Sequence, residues 1–269
     1  MQLFPNATQY LNPYPFFKKM RVESPVAYDE SQKIWGVYGY EDVQRIITDH
    51  HIFSSDFSES DEPQLQSRPK TLLTSDPPLH KNLRRLVSKA FSPKAIQDME
   101  PRIIHIVQDL LHDIQDKNQI ELIKDFAAPL PTIVIAEMLG IPIEDRGIFK
   151  RWADQLLNTE VNFAANQRLD RQAVLEEMNQ YFRHIIEQRR ANNGTDLISA
   201  LILAEIEGER LGEEELLSFC ELLLLAGHIT TVHLIGNVIW SFMEQPDRMA
   251  QLRSNPVLLP LALEEVLRY

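Results

Sequence analysis

Only one cysteine, Cys220, occurs in the 269 residues. That excludes an internal disulfide and fits a reducing cytoplasm. Positive charge is scarce as well: 27 Lys and Arg against 39 Asp and Glu leave a net charge of −12. A nucleic-acid partner would need a basic footprint, so that class is excluded. The nine glycines form no Gly-x-Gly-x-x-Gly, phosphate loop or nucleophile elbow. No metal site is read from the histidines. His105 and His112 lie seven apart without a supporting carboxylate or cysteine in ligand arrangement, and His228 and His233, five apart, suit no single helical face. The opening MQLFPNATQYLNPYPFFKKM holds no apolar run long enough for a signal peptide or membrane anchor. With 44% hydrophobic and 25% charged residues, the composition is that of a soluble globular protein.

What the chain does have is helix. Val26–Tyr28 and Ile34–Tyr38 flank a polar turn and predict a short hairpin, followed by a helix from Glu41 to Thr48. Residues 54–70 are polar and irregular, a long surface loop of the kind that is often functional. Further helices are expected over 78–91, 94–116, 126–139, 144–158 and 168–191, then from Leu197 to Ala204. Glu207 and Gly208 make a turn, and the acidic Glu213–Glu215 turn opens the longest helix, where carboxylates favour the dipole. Pro246 closes it, and Pro256 begins a last helix reaching Tyr269. With no repeat, low-complexity tract or linker, residues 1–269 read as a single domain. Its fold class is mainly α with a small amino-terminal β element.

Two segments carry chemistry. Residues 222–242 (LLLLAGHITTVHLIGNVIWSF) are apolar on both faces, so this helix should cross a protein interior. Yet it contains Gly227, which costs about 1 kcal/mol against alanine, and the hydroxyls of Thr230 and Thr231, which need partners when buried. Such a helix either opens locally for something flat or small, or makes a tight helix–helix crossing with its threonines bonded to carbonyls one turn back. The second segment, from His80 to Lys94, holds five Lys and Arg and no acid inside an acidic chain. As a helix it splits into an inward side with His80, Leu83, Arg84, Val87 and Phe91, and a solvent-facing stripe of Lys81, Arg85 and Lys89. A histidine and an arginine one turn apart could clamp a carboxylate; the other reading is a solvated basic face.

The run from Asp76 to Pro93 (DPPLHKNLRRLVSKAFSP) resembles the C-helix signature of bacterial cytochrome P450 haem-thiolate monooxygenases. Phe126 to Asp145 is similar to the E helix of that family, and Ala226-Gly227-His228-Ile229-Thr230-Thr231 resembles its I-helix oxygen-binding motif. Glu265 and Arg268 match its K-helix Glu-x-x-Arg. The resemblance runs from about Val26 to the last residue, with the motifs in family order. It implies a cytochrome P450-like helical fold and haem as cofactor. His80 and Arg84 would bond the haem propionates, and Ala226 and Gly227 would let haem and dioxygen approach the helix backbone. Thr230 would hydrogen-bond the oxygen and help relay protons. Glu265 and Arg268 would form a buried structural ion pair. The implied partners are O2, a small lipophilic substrate and an acidic ferredoxin or flavodoxin with its reductase, docking on Lys81, Arg85 and Lys89. Phe57, Leu72 and Leu73 point to the lipophilic substrate; a membrane and nucleic acid are not implied.

Two departures from the family pattern stand out. Ile229 occupies the position of the acid that usually precedes the conserved threonine, and His228 points about 100° away from it around the helix. The family's cysteine loop, source of the axial thiolate, is expected beyond Tyr269, so the chain matches the amino-terminal portion of the fold and is expected to be inactive alone. Cys220, seven residues before Gly227, reads as an inert buried thiol rather than a ligand. Two other functions suit the same residues: an inactive remnant of such an enzyme, and a helical module binding hydrophobic ligands.

Overall fold

The computed structural model describes residues 3–6, 8–31, 33–58, 70–157, 165–206 and 208–268. Most of the loop expected over 54–70, and the Tyr269 end of the last helix, lie outside the described residues. Where the sequence suggests one domain, the chain divides into two compact units, Met1–Lys81 and Asn82–Tyr269.

The first unit begins with α1 (Tyr14–Glu23), a helix not foreseen from sequence, which opens on a proline at its first turn. Strands β1 (Val26–Asp29) and β2 (Ile34–Val37) form the expected antiparallel hairpin with Tyr28 opposite Trp35, and α2 follows (Tyr40–Thr48). Phe16 and Met20 of α1 pack with Leu3 and Ala27. The Tyr38 hydroxyl donates to the Leu3 carbonyl at 2.7 Å, fastening the amino-terminal segment to the hairpin. Asp76 accepts bonds from the Ser54 hydroxyl and the Ser55 N–H, which hold its carboxyl below the usual range. The first residue of the Asp-Pro-Pro run thus pins the loop that precedes it.

Helix α3 (Leu79–Ala90) carries the chain into the second unit. There follow α4 (Pro93–Ile114), a π turn (Ile123–Ala127), α5 (Pro129–Met138), α6 (Arg146–Leu157), α7 (Ala165–Ala191) and α8 (Leu197–Leu203). The helix starts follow side-chain chemistry: Ser92 and Asp196 accept from the N–H groups of Ala95 and Ser199, satisfying donors that the first turn leaves free. A two-residue hairpin, β3 (Glu205–Ile206) and β4 (Glu209–Arg210), turns at Gly208, whose φ of 84° suits glycine. Then come α9 (Glu213–Met243), α10 (Pro246–Ser254) and α11 (Leu259–Arg268). Pro246 not only closes α9 but opens α10, the second helix the sequence reading lacked.

Helix α9, 31 residues and about 46 Å long, is long and apolar enough to cross a membrane. In this unit it is instead the central packing element, against α5, α6, α7, α8, α10, α11 and the π turn. The core beside it is built from Phe149 and Trp152 of α6, Met178, Phe182 and Ile186 of α7, and Leu224 of α9, all buried. Each such side chain contributes about 1.5–3 kcal/mol by leaving water.

A charged clamp joins three of these helices. The Glu137 carboxylate on α5 takes bonds from Arg102 of α4, 2.6 Å to Oε1, and from Arg146 of α6. Burial pushes the carboxyl up, but the bonds and charges of the two arginines outweigh it and hold it below the usual range. Replacing Glu137 by Gln leaves two arginines without their counter-charge, and stability should fall by about 1–3 kcal/mol. The urea midpoint reads this; an unchanged midpoint would show that the clamp carries no net stability.

Candidate functional site

Helix α9 starts at Gly212, whose N–H donates to the Glu215 carboxylate at 2.7 Å. Its first half is covered: Leu216, Leu217, Phe219, Cys220 and Leu224 are buried, and Phe219 meets Phe91 edge to face at 6.0 Å. Its second half has two unlike sides. Ala226, Thr230, His233, Asn237 and Trp240 are exposed, and their alternating spacing of four and three puts them on one stripe. His228 and Val232, on the other side, are buried.

The buried side explains two motif residues. A Cβ on Gly227 would lie 3.0 Å from Ile135 Cδ1, so the glycine admits α5 to close approach. That contact is the close helix crossing that the sequence offered as one of its two readings of this glycine. His228 Nε2 lies 3.2 Å from the Ala128 carbonyl, where the π turn passes into α5. Its Nδ1 is buried with no partner. Burial lowers the His228 pKa, with the Ala128 bond acting weakly the other way, so the ring is held neutral with its proton on Nε2.

On the open side, Thr230 donates to the Ala226 carbonyl at 2.6 Å, and Thr231 to the Gly227 carbonyl at 2.8 Å. Both hydroxyl protons are thus occupied one turn back, while the Thr230 oxygen keeps lone pairs on the exposed stripe. Nothing covers Ala226, whose methyl leaves the backbone within reach of a flat group.

Helix α3 is amphipathic with Leu83 and Leu86 buried. Arg84 is exposed rather than inward as the spacing suggested: the buried side is set by the two leucines, and the long arginine reaches past it to water. Among the described residues Arg84 has no carboxylate partner, whereas Arg102, Arg146, Arg151 and Arg189 all have one. His80 is half-buried one turn earlier. The stripe of Lys81, Arg85 and Lys89 is exposed, and Lys89 also donates to the Glu205 carbonyl.

The Glu265–Arg268 pair forms, with Arg268 Nε 2.9 Å from Glu265 Oε2. Both side chains are exposed on α11. Cys220 is fully buried, which pushes its thiol up to about 12, so it is neither thiolate nor within reach of a ligand site. His105 does have a carboxylate neighbour, Asp109 at 3.6 Å on the surface of α4. Still, no three His, Cys, Asp or Glu among the described residues could hold a metal ion.

The family profile "Cytochrome P450" matches residues 25–256. The chain belongs to the cytochrome P450 family. Cytochrome P450 109 of Bacillus spizizenii is 42% identical over 266 residues, covering 96% of this chain and 63% of the relative. Cytochrome P450(BM-1) of Priestia megaterium is 35% identical over 275 residues, 99% of this chain and 67% of its own length. The chain thus spans about two thirds of these relatives. Among solved P450 structures, substrate-free CYP109E1 from Bacillus megaterium superposes with a TM-score of 0.88 at 37% identity, covering 97% of this chain and 69% of that one. Open EryK from S. erythraea gives 0.90 at 34%, covering 100% and 68%.

Haem is the cofactor of the P450 family, and the residues present fit it in two places. Arg84, without a counter-ion among the described residues and one turn from His80, makes with it a donor set for carboxylates. The methyl of Ala226 and the short side chain of Thr230, one turn apart on the exposed stripe, leave room for a flat macrocycle.

His228 gives a pH test. Its lowered value means that the unfolded chain takes up this proton first as pH falls. Its contribution is therefore complete above about pH 6.5 and is lost as pH drops below that toward the lowered value. Thermal midpoints from about pH 7.5 to about pH 5.5 should fall in the parent and fall less in His228→Gln. Parallel curves would show that the histidine is not held neutral by burial.

Proposed function

We propose that residues 1–269 supply the haem-binding and oxygen-facing residues of a cytoplasmic monooxygenase. It inserts one oxygen atom of O2 into a small lipophilic substrate, with electrons from an acidic ferredoxin or flavodoxin and its reductase. The open stripe holding Ala226 and Thr230, at the place of the family's oxygen-binding motif, is the observation that carries this reading.

When bound, haem supplies the activation of dioxygen and the redox chemistry. The chain's own residues do the rest. His80 and Arg84 donate charge-assisted bonds to the propionates and fix the macrocycle's orientation. Ala226 keeps side-chain bulk away from it. The Thr230 hydroxyl, anchored on the Ala226 carbonyl, accepts and returns protons at Oγ1 on the open face. The Glu265–Arg268 pair is structural. Lys81 and Arg85 give an acidic redox partner a complementary surface. The lipophilic substrate class is supported by relatives: CYP109E1 has been solved with corticosterone and with testosterone, and P450BioI with hexadec-9Z-enoic acid on its acyl carrier protein.

The test uses residues 1–269 completed with the carboxy-terminal third of the B. spizizenii relative. Arg84→Ala removes a charge-assisted bond of about 1.5–3 kcal/mol, so haem affinity should fall by about one to two powers of ten. Haem titration reads this, and unchanged affinity would take Arg84 out of the site. Thr230→Ala should leave haem binding nearly intact while diverting electrons into hydrogen peroxide. Unchanged peroxide per electron would remove Thr230 from proton handling.

A further inference from the structure

Ile229 cannot carry a proton, yet oxygen insertion consumes protons. With R–H as substrate, R–H, O2, two electrons and two protons give R–OH and water. The electrons come from the ferredoxin or flavodoxin; the protons must cross from solvent to the face of α9 that holds Thr230. His228 is the nearest titratable neighbour of Ile229 in sequence. It is excluded by geometry, being buried on the opposite side with Nε2 committed to the Ala128 carbonyl.

His233 is placed differently. At about 100° per residue it lies about 40° around the helix from Ile229 and about 60° from Thr230, between the two and one turn further along. Its side chain is exposed on the same stripe as Ala226, Thr230 and Asn237. Residues three apart on a helix have Cβ atoms about 5–6 Å apart, a span that the imidazole and one water molecule bridge.

We propose that His233 is the proton-relay side chain of this enzyme, acting through Thr230 in place of the acid that Ile229 lacks. One ring nitrogen gives a proton to the Thr230 oxygen, directly or through the water, and the other regains one from solvent. The imidazole is unchanged over the cycle and neither gains nor loses electrons. The inference rests on the monooxygenase reading above and assigns the relay within it.

The experiment uses the same completed, haem-loaded protein, with testosterone and a long-chain fatty acid as substrate probes. His233→Asn keeps a polar side chain but removes the imidazole. Product per electron should fall several-fold and peroxide should rise, with haem affinity unchanged. Adding Ile229→Glu to His233→Asn should restore coupling, a rescue that a merely structural role would not give. In the parent, Ile229→Glu alone should change little, because a relay already exists. Independently of turnover, diethyl pyrocarbonate should label His233 several-fold more slowly when phenylimidazole fills the space beside the haem. Unchanged coupling in His233→Asn, or labelling indifferent to phenylimidazole, would overturn the relay and leave the monooxygenase reading intact. A completed protein that binds haem but gives no product and no peroxide with either probe would sink that reading, and the relay with it.

Discussion

The contact between α9 and α5 sets the rotation of the central helix, and the chemistry of the chain depends on that rotation. Gly227 brings the helix against Ile135, and His228 bonds the Ala128 carbonyl. The same carbonyl accepts the Thr132 hydroxyl at 2.9 Å, so the anchor point is itself held inside the second unit. Two contacts at adjacent residues leave the helix little freedom to turn. A rotation by one residue, about 100°, would carry Thr230 off the open stripe. The side left open carries the methyl of Ala226, the hydroxyl of Thr230, the imidazole of His233, the amide of Asn237 and, at its far end, the indole of Trp240.

Charge is distributed to match. Several arginines are neutralised locally: Arg102 and Arg146 on Glu137, Arg151 on Glu177, Arg189 on Asp196. Arg84 has no carboxylate partner among the described residues, and such a cation is open to an external anion. Its neighbour in function, Thr230, is likewise only half used by the protein, with its proton on Ala226 and its oxygen lone pairs on the open side.

Spacing made much of this legible. The hairpin near Val26 and the helix from Glu213 follow from periodicity and turn residues, and the order of the motifs from the resemblance to the P450 family. What spacing could not supply was direction. Gly227 looked like an opening for a ligand, but a glycine serves any close neighbour, and here that neighbour is Ile135. Arg84 looked inward because it shares a turn with Leu83, while its length lets it leave the apolar side for water. Helices α1 and α10 escaped notice because both open on proline, which reads as a break in sequence and as a start in structure. His233 gave no signal by itself; its interest depends on Ile229 and on which face is open.

The central claim is that the open stripe of α9 faces haem whose iron takes its thiolate from a residue other than Cys220. The spectrum of the reduced, carbon-monoxide-bound protein tests both halves together. Residues 1–269 completed with the carboxy-terminal third of the B. spizizenii relative should give the red-shifted Soret band of a thiolate-ligated haem, and should give it equally well with Cys220→Ala. A band that vanishes with Cys220→Ala, or that residues 1–269 produce unaided, would contradict the account, because it would require the buried thiol at Cys220 to reach the iron.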